Sequence, residues 1–93
     1  MKKTANKIKN VIRKSSVKEP IRTVKNYLRQ PYRIELIPIP QKEGGGYYAA
    51  IPLLKGCQSD GSTPDEAIRN LREAQRAWIT SAMKHGDPIP VPQ

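Results

Sequence analysis

A chain of 93 residues that is 37 % hydrophobic and has no phenylalanine can build one small domain, and a sizeable enzyme core is excluded. Its single cysteine, Cys57, rules out an internal disulfide and, beside a single histidine, gives no metal-ligand spacing, so a reducing compartment, the cytoplasm, is expected. The net charge of +9 is unevenly placed: residues 1–33 hold eleven Lys or Arg and one acid, Glu19, for +10, whereas residues 34–93 sum to −1.

In chain order, Ile8, Val11 and Ile12 fall at helical spacing among Lys7, Lys9, Arg13 and Lys14, which predicts a short basic amphipathic helix between Thr4 and Lys14. After "SSVKEP", Ile21, Val24, Tyr27 and Leu28 repeat the pattern to Gln30, with Pro20 as a first-turn proline and Pro31 as the stop. Helices of about ten residues are marginal alone, so residues 1–30 read as a basic arm that orders on a partner or on the core. Residues 31–93 read as the folded domain.

From Tyr32 the period becomes two. In "YRIELIPI", Tyr32, Ile34 and Leu36 face one way and Arg33, Glu35 and Ile37 the other, and Pro38 and Pro40 belong at a sheet margin because they cannot donate to a ladder. "QKEGGG" is a turn and "YYAAI" a second strand, so the two strands form a hairpin. A short third strand is predicted around Cys57 to Ser59. Thr63, Pro64 and Glu66 then give the N-cap, first-turn proline and capping-box glutamate of a helix ending near Gly86, with Ala67, Ile68, Leu71, Ala74, Trp78 and Ala82 on its apolar side. In "DPIPVPQ" a proline at every second position leaves a short edge strand or a polyproline-like tail.

The fold class is therefore α+β: a three-stranded antiparallel sheet packed by one long helix plus a short last strand (β-β-β-α-β), behind a basic helical arm. No eight-residue run such as "YYAAIPLL", itself broken by Pro52, reaches the roughly 20 apolar residues of a membrane span. The start has no continuous apolar region of a secretory signal, so neither a membrane nor export is expected.

Candidate chemistry is sparse. "GGG" leads into a strand and has no Lys-Ser/Thr sequel, so it reads as a turn and not as a phosphate cradle. Cys57 lacks a nearby base and reads as a small buried residue, and His85 reads as a group in the last helical turn. Of the carboxylates, Asp65 and Glu66 serve the helix start and Asp60 a turn with Gly61, leaving Glu35 alone on a strand, too few for two-metal chemistry. No catalytic, metal or cofactor residue and no small-molecule substrate is expected. Trp78 reads as a core or interface anchor before a base-stacking platform; Tyr47 and Tyr48 lie on opposite faces, so one meets solvent or a partner. Asn70 bonds either a loop or a partner.

The span Tyr32 to Pro92 resembles the HicB-type antitoxins of type II toxin–antitoxin modules and their short UPF0150-like relatives. The resemblance rests on "YRIELIPIP", "GGGYYAAIPLLKGCQSDGSTPDEAIRNLREA", Trp78 and "HGDPIPVP", with family-type marks at Gly46, Tyr48, Ala49, Pro52, Gly56, Cys57, Gly61, Thr63, Glu66, Ala67, Asn70 and Ala74. It implies a partial ribonuclease-H-like fold without catalytic carboxylates, hence no enzyme, and a HicA-like, mRNA-cleaving toxin protein as partner. Tyr47, Tyr48, Ile51, Asn70 and Trp78 are the candidate toxin or homo-oligomer interface. Many members add a C-terminal DNA-binding domain, which is not expected before the end at Gln93. The arm, through Lys2, Lys3, Lys7, Lys9, Arg13, Lys14, Arg22 and Lys25, is the candidate DNA contact in its place. The alternative is a stand-alone nucleic-acid-binding protein with no toxin.

Overall fold

A computed structural model describes residues 22–93. The first helix, α1, runs Val24–Leu28 and starts on Thr23, whose extended backbone and Oγ1, accepting the Asn26 N–H at 3.1 Å, make it the N-cap. This corrects the expected start at Pro20: an extended Thr23 breaks any continuous helix through it. The predicted helix at residues 4–14 lies outside the described residues. Val24, Tyr27 and Leu28 pack against the core, so the described end of the expected arm is docked on the domain.

Three strands follow, β1 (Glu35–Pro38), β2 (Tyr47–Ala50) and β3 (Gln58–Gly61), in one antiparallel sheet of order β1-β2-β3. The hairpin between β1 and β2 stands as the alternation predicted, while β3 begins one residue after its expected place. A 3₁₀ turn at Gln41–Glu43 and three glycines of positive φ connect β1 to β2. At Gly46, φ is +87° and an added Cβ would stand 2.7 Å from the Gly61 carbonyl oxygen, so the turn and the end of β3 approach as only glycine allows.

Residues paired across an antiparallel ladder share a face. Leu36, Ala49 and Ser59 therefore lie on one face and Glu35, Ala50 and Gln58 on the other. The first face is covered by the long helix α2 (Pro64–His85), which lies over β3 and β2 far more than over β1. The core under it gathers Tyr32, Ala49, Ile51, Leu54, Cys57, Ala67, Leu71 and Ile79.

The ends of α2 follow the sequence signals. Thr63 Oγ1 accepts the Glu66 N–H at 3.1 Å, and the Glu66 carboxylate accepts from the Ser62 N–H, one residue before the expected capping-box partner. Gly86, at φ +71°, closes the helix with bonds from Gly86 N–H to Met83 O and from Asp87 N–H to Ala82 O. Thr63→Ala removes an acceptor with no substitute nearby; a loss of about 1 kcal/mol is expected, read as a melting temperature lower by roughly 4–8 °C.

The buried line of α2 is Ala67, Leu71, Gln75, Ile79 and Ala82. Ala74 and Trp78, expected on its apolar side, lie half-buried on the flank of that line, and Gln75 and Ile79 take its centre. After Asp87 no ladder pairing forms, which corrects the expected last strand: Pro88, Pro90 and Pro92 have no N–H to donate. The tail is instead tied by the Tyr32 hydroxyl, which donates to Pro90 O at 2.6 Å.

Candidate functional site

Among the described residues no helix packs on the face of the sheet away from α2, although Ala50 in its middle is buried by its neighbours. That face carries Glu35, Ala50 and Gln58 in one row and Ile37, Tyr48 and Asp60 in the next. Ile37 is 47 % exposed, an apolar side chain standing in water beside half-buried Tyr48, whose hydroxyl bonds Gln58 Oε1 at 2.9 Å. Glu35 is paired with Arg33 at 2.7 Å.

The edges of the sheet decide what else a partner can use. Ile39 N–H bonds Gly46 O at 2.8 Å, which fixes the hydrogen-bonded pairs of the first ladder as 39–46, 37–48 and 35–50. The backbone groups of Leu36 and Pro38 then point to the free edge, and Pro38 has nothing to donate there. On the other side Ile51 N–H bonds Cys57 O at 3.0 Å, so Gln58 and Asp60 point outward from β3. The Asp60 carbonyl is already taken by Asn70 Nδ2, reaching over from α2 at 2.9 Å. Among the described residues, each edge strand thus keeps within its own bounds one residue with both donor and acceptor free, Leu36 in β1 and Gln58 in β3, a short run for a ladder. Pro38 blunts the first edge and Asn70 the second.

Of the expected interface residues, Tyr48 alone lies on the open face. Tyr47 is on the opposite face, packed on the core. Ile51 is 1 % exposed, so its expected interface role is corrected to a core one: no partner reaches it while α2 is in place. Asn70 seals the β3 edge, and Trp78 donates its indole N–H to Lys55 O at 2.7 Å, clamping the crossover between β2 and β3. Arg22, just before α1, and Lys25, on it, are exposed, while Lys2, Lys3, Lys7, Lys9, Arg13 and Lys14 lie outside the described residues. Sequence reasoning passed over Ile37. Its signal was present: an isoleucine in the row of Arg33 and Glu35.

The three glycines border a cleft of about 510 Å³ lined also by Ile39, Gln41, Asp60, Gly61, Ser62, Glu66 and Asn70. Asp60 and Glu66 are the charged residues in its lining, so it suits a cationic group and repels phosphate. His85 Nδ1 lies 2.8 Å from Ser81 O of its own helix. Burial raises the Cys57 thiol above its ordinary range, which keeps it protonated and weakly nucleophilic at neutral pH. Since it titrates higher folded than unfolded, its contribution to stability is whole below the unfolded pKa and falls as pH rises through the folded one. Native protein at neutral pH is expected to react with an aromatic disulfide reagent far more slowly than urea-unfolded chain; equal rates would place the thiol at the surface.

Among the described residues, no helix is long and apolar enough to cross a membrane, and no three His, Cys, Asp or Glu converge. Comparison with known proteins gives a family. A UPF0150 protein of Synechocystis sp. is 48 % identical over 46 residues, 50 % of this chain and 58 % of that protein. One of Thermoplasma acidophilum is 44 % identical over 52 residues, 56 % and 75 % of the two chains, and one of Helicobacter pylori 50 % over 39 residues, 42 % and 54 %. The matches therefore span little more than half the length of the Synechocystis and Helicobacter relatives. No solved structure matches the chain. The sequence model of the family described as "HicB_like antitoxin of bacterial toxin-antitoxin system" matches residues 35–93, all three strands, the long helix and the tail, and the chain belongs to that HicB-like antitoxin family.

Proposed function

We propose that this protein is an antitoxin that binds a HicA-type, mRNA-cleaving toxin protein in the cytoplasm and blocks it without catalysis of its own. The family match over residues 35–93 carries the reading. The uncovered sheet face, with an exposed isoleucine beside a tyrosine, supports it as a surface for a protein and not for a small molecule. Homo-oligomers, if formed, are left to side-chain surfaces. Co-expression with the toxin-sized gene beside its own tests the proposal: growth arrest by that product is relieved and the two proteins co-purify. A neighbouring toxin that is neither bound nor neutralised counts against it.

One observation favours a second activity, contact with DNA through the N-terminal segment: residues 1–33 hold +10. Neutralising five phosphates gives a log–log salt slope of about −4 to −5. A chain beginning at Arg22, which keeps α1 docked, should lose this binding; equal binding by both chains removes the segment from the reading.

A further inference from the structure

The blunted edges and the uncovered face together define how a partner docks, and this step rests on the antitoxin reading above. Strand addition needs a run of alternate residues offering N–H and C=O outward. At β1 that run stops after Leu36, because Pro38 faces outward without a donor; at β3 it stops after Gln58, because Asn70 occupies the Asp60 carbonyl. What remains is the face itself. Ile37 at 47 % exposure is its apolar centre, and Tyr48 beside it presents a ring whose hydroxyl is already held by Gln58.

Charge selects the occupant. Among the described residues Glu35 has Arg33 as its counter-ion, whereas Asp60 is in no ion pair, and the neighbouring cleft holds Asp60 and Glu66 with no Lys or Arg in its lining. Nucleic acid meets like charge here. A two-fold pairing of the face with a second copy adds a second unpaired Asp60 to the same interface and brings only an Arg33 that Glu35 already holds, so it supplies a weaker match than a partner of opposite charge. A basic protein surface that carries an apolar residue ringed by Lys or Arg fits both features. We propose that the toxin docks side chain to side chain on the open sheet face, centred on Ile37 and Tyr48, with a basic side chain directed to the Asp60 end, and that it adds no strand to either edge.

The test measures affinity of the full chain for the purified HicA-type toxin encoded beside it, first with wild type and then with Ile37→Arg, Tyr48→Ala and Leu36→Pro, each checked for its melting temperature. Ile37→Arg places a cation at the centre of a surface that takes a basic partner, and a loss of at least about 30-fold is expected, the scale of an interface hot spot. Tyr48→Ala should weaken binding in the same direction. Leu36→Pro removes the outward donor of β1 without touching a bond to β2, and affinity should hold within about threefold, since only strand addition would use that donor. If wild type binds but Leu36→Pro abolishes binding while Ile37→Arg leaves it intact, strand addition is the mode and the proposal is wrong. If Ile37→Arg converts a dimer of the free chain into a monomer and spares the toxin, the face belongs to self-association and the proposal is equally wrong. A folded wild type that binds no toxin removes the antitoxin reading itself, a result separate from either.

Discussion

Gly61→Ala is expected to lower the stability of the domain by about 3 kcal/mol or more, the upper range for forcing atoms into a packed site. A Cβ at Gly61 would stand 2.5 Å from the Ala67 nitrogen, 2.8 Å from the Glu66 carbonyl carbon and 2.9 Å from Ala67 Cα. All three are backbone atoms of the first turn of α2, and none can swing aside as a side-chain tip does. The turn itself is pinned, because Thr63 caps it and the Glu66 carboxylate binds Ser62. On its other side Gly61 O is the atom that a Cβ at Gly46 would meet at 2.7 Å, so a shift of β3 away from the helix presses on the glycine turn. For a domain of this size a loss of 3 kcal/mol is a large part of a total of about 4–10 kcal/mol. It corresponds to a melting temperature lower by roughly 12–24 °C. Gly86→Ala is the control: its φ of +71° strains a side chain, but nothing lies within 4 Å, and about 1 kcal/mol is expected. Thermal melts of the two variants decide the matter; Gly61→Ala melting as high as Gly86→Ala would mean that β3 and α2 are not in the close contact described.

The same junction shows which parts of the fold were legible in the sequence. Thr63, Pro64, Glu66 and Gly86 are local signals, each satisfied by hydrogen bonds within a few residues, and the helix starts and ends where they place it. The hairpin was legible because alternation and a glycine turn are also local. The last strand and the helix start at Pro20 were not, for they depend on competition: a proline-rich tail finds a hydroxyl, Tyr32, in place of a ladder, and Thr23 offers α1 a cap that Pro20 does not. The site was legible only in part. Tyr48 on the open face follows from alternation, but Ile51 continues the strand pattern beyond the ladder into the core, where α2 covers it. Asn70 and Trp78 were noticed as unusual residues on a helix, yet their partners, Asp60 O and Lys55 O, are 10 and 23 residues distant in the chain and could not be read from it.

Gln75 escaped sequence reasoning because it is polar, and it yields the second large expected effect. It occupies the centre of the buried line of α2, fully buried, with Leu71 and Ile79 one turn before and one turn after it, also fully buried. Its Oε1 accepts from Arg72 Nη1 at a long 3.3 Å, while its Nε2 has no partner. A buried donor without an acceptor costs about 1–3 kcal/mol, because water is lost and nothing replaces it. Methionine has nearly the length of glutamine, a similar helix propensity and no donor to satisfy. Gln75→Met is therefore expected to stabilise the domain by about 1–2 kcal/mol, raising the melting temperature by roughly 4–16 °C. Gln75→Glu, which buries an acid in the same place, should lower it. A Gln75→Met variant that melts below wild type would show that in solution the amide is paired, by a water or by a shift of a neighbouring carbonyl, and that the pairing contributes to stability. Toxin affinity supplies the complementary readout. Gln75 lies on the buried side of α2, across the sheet from Ile37, so the stabilised variant should bind the toxin as wild type does, separating the stability of the scaffold from the chemistry of its open face.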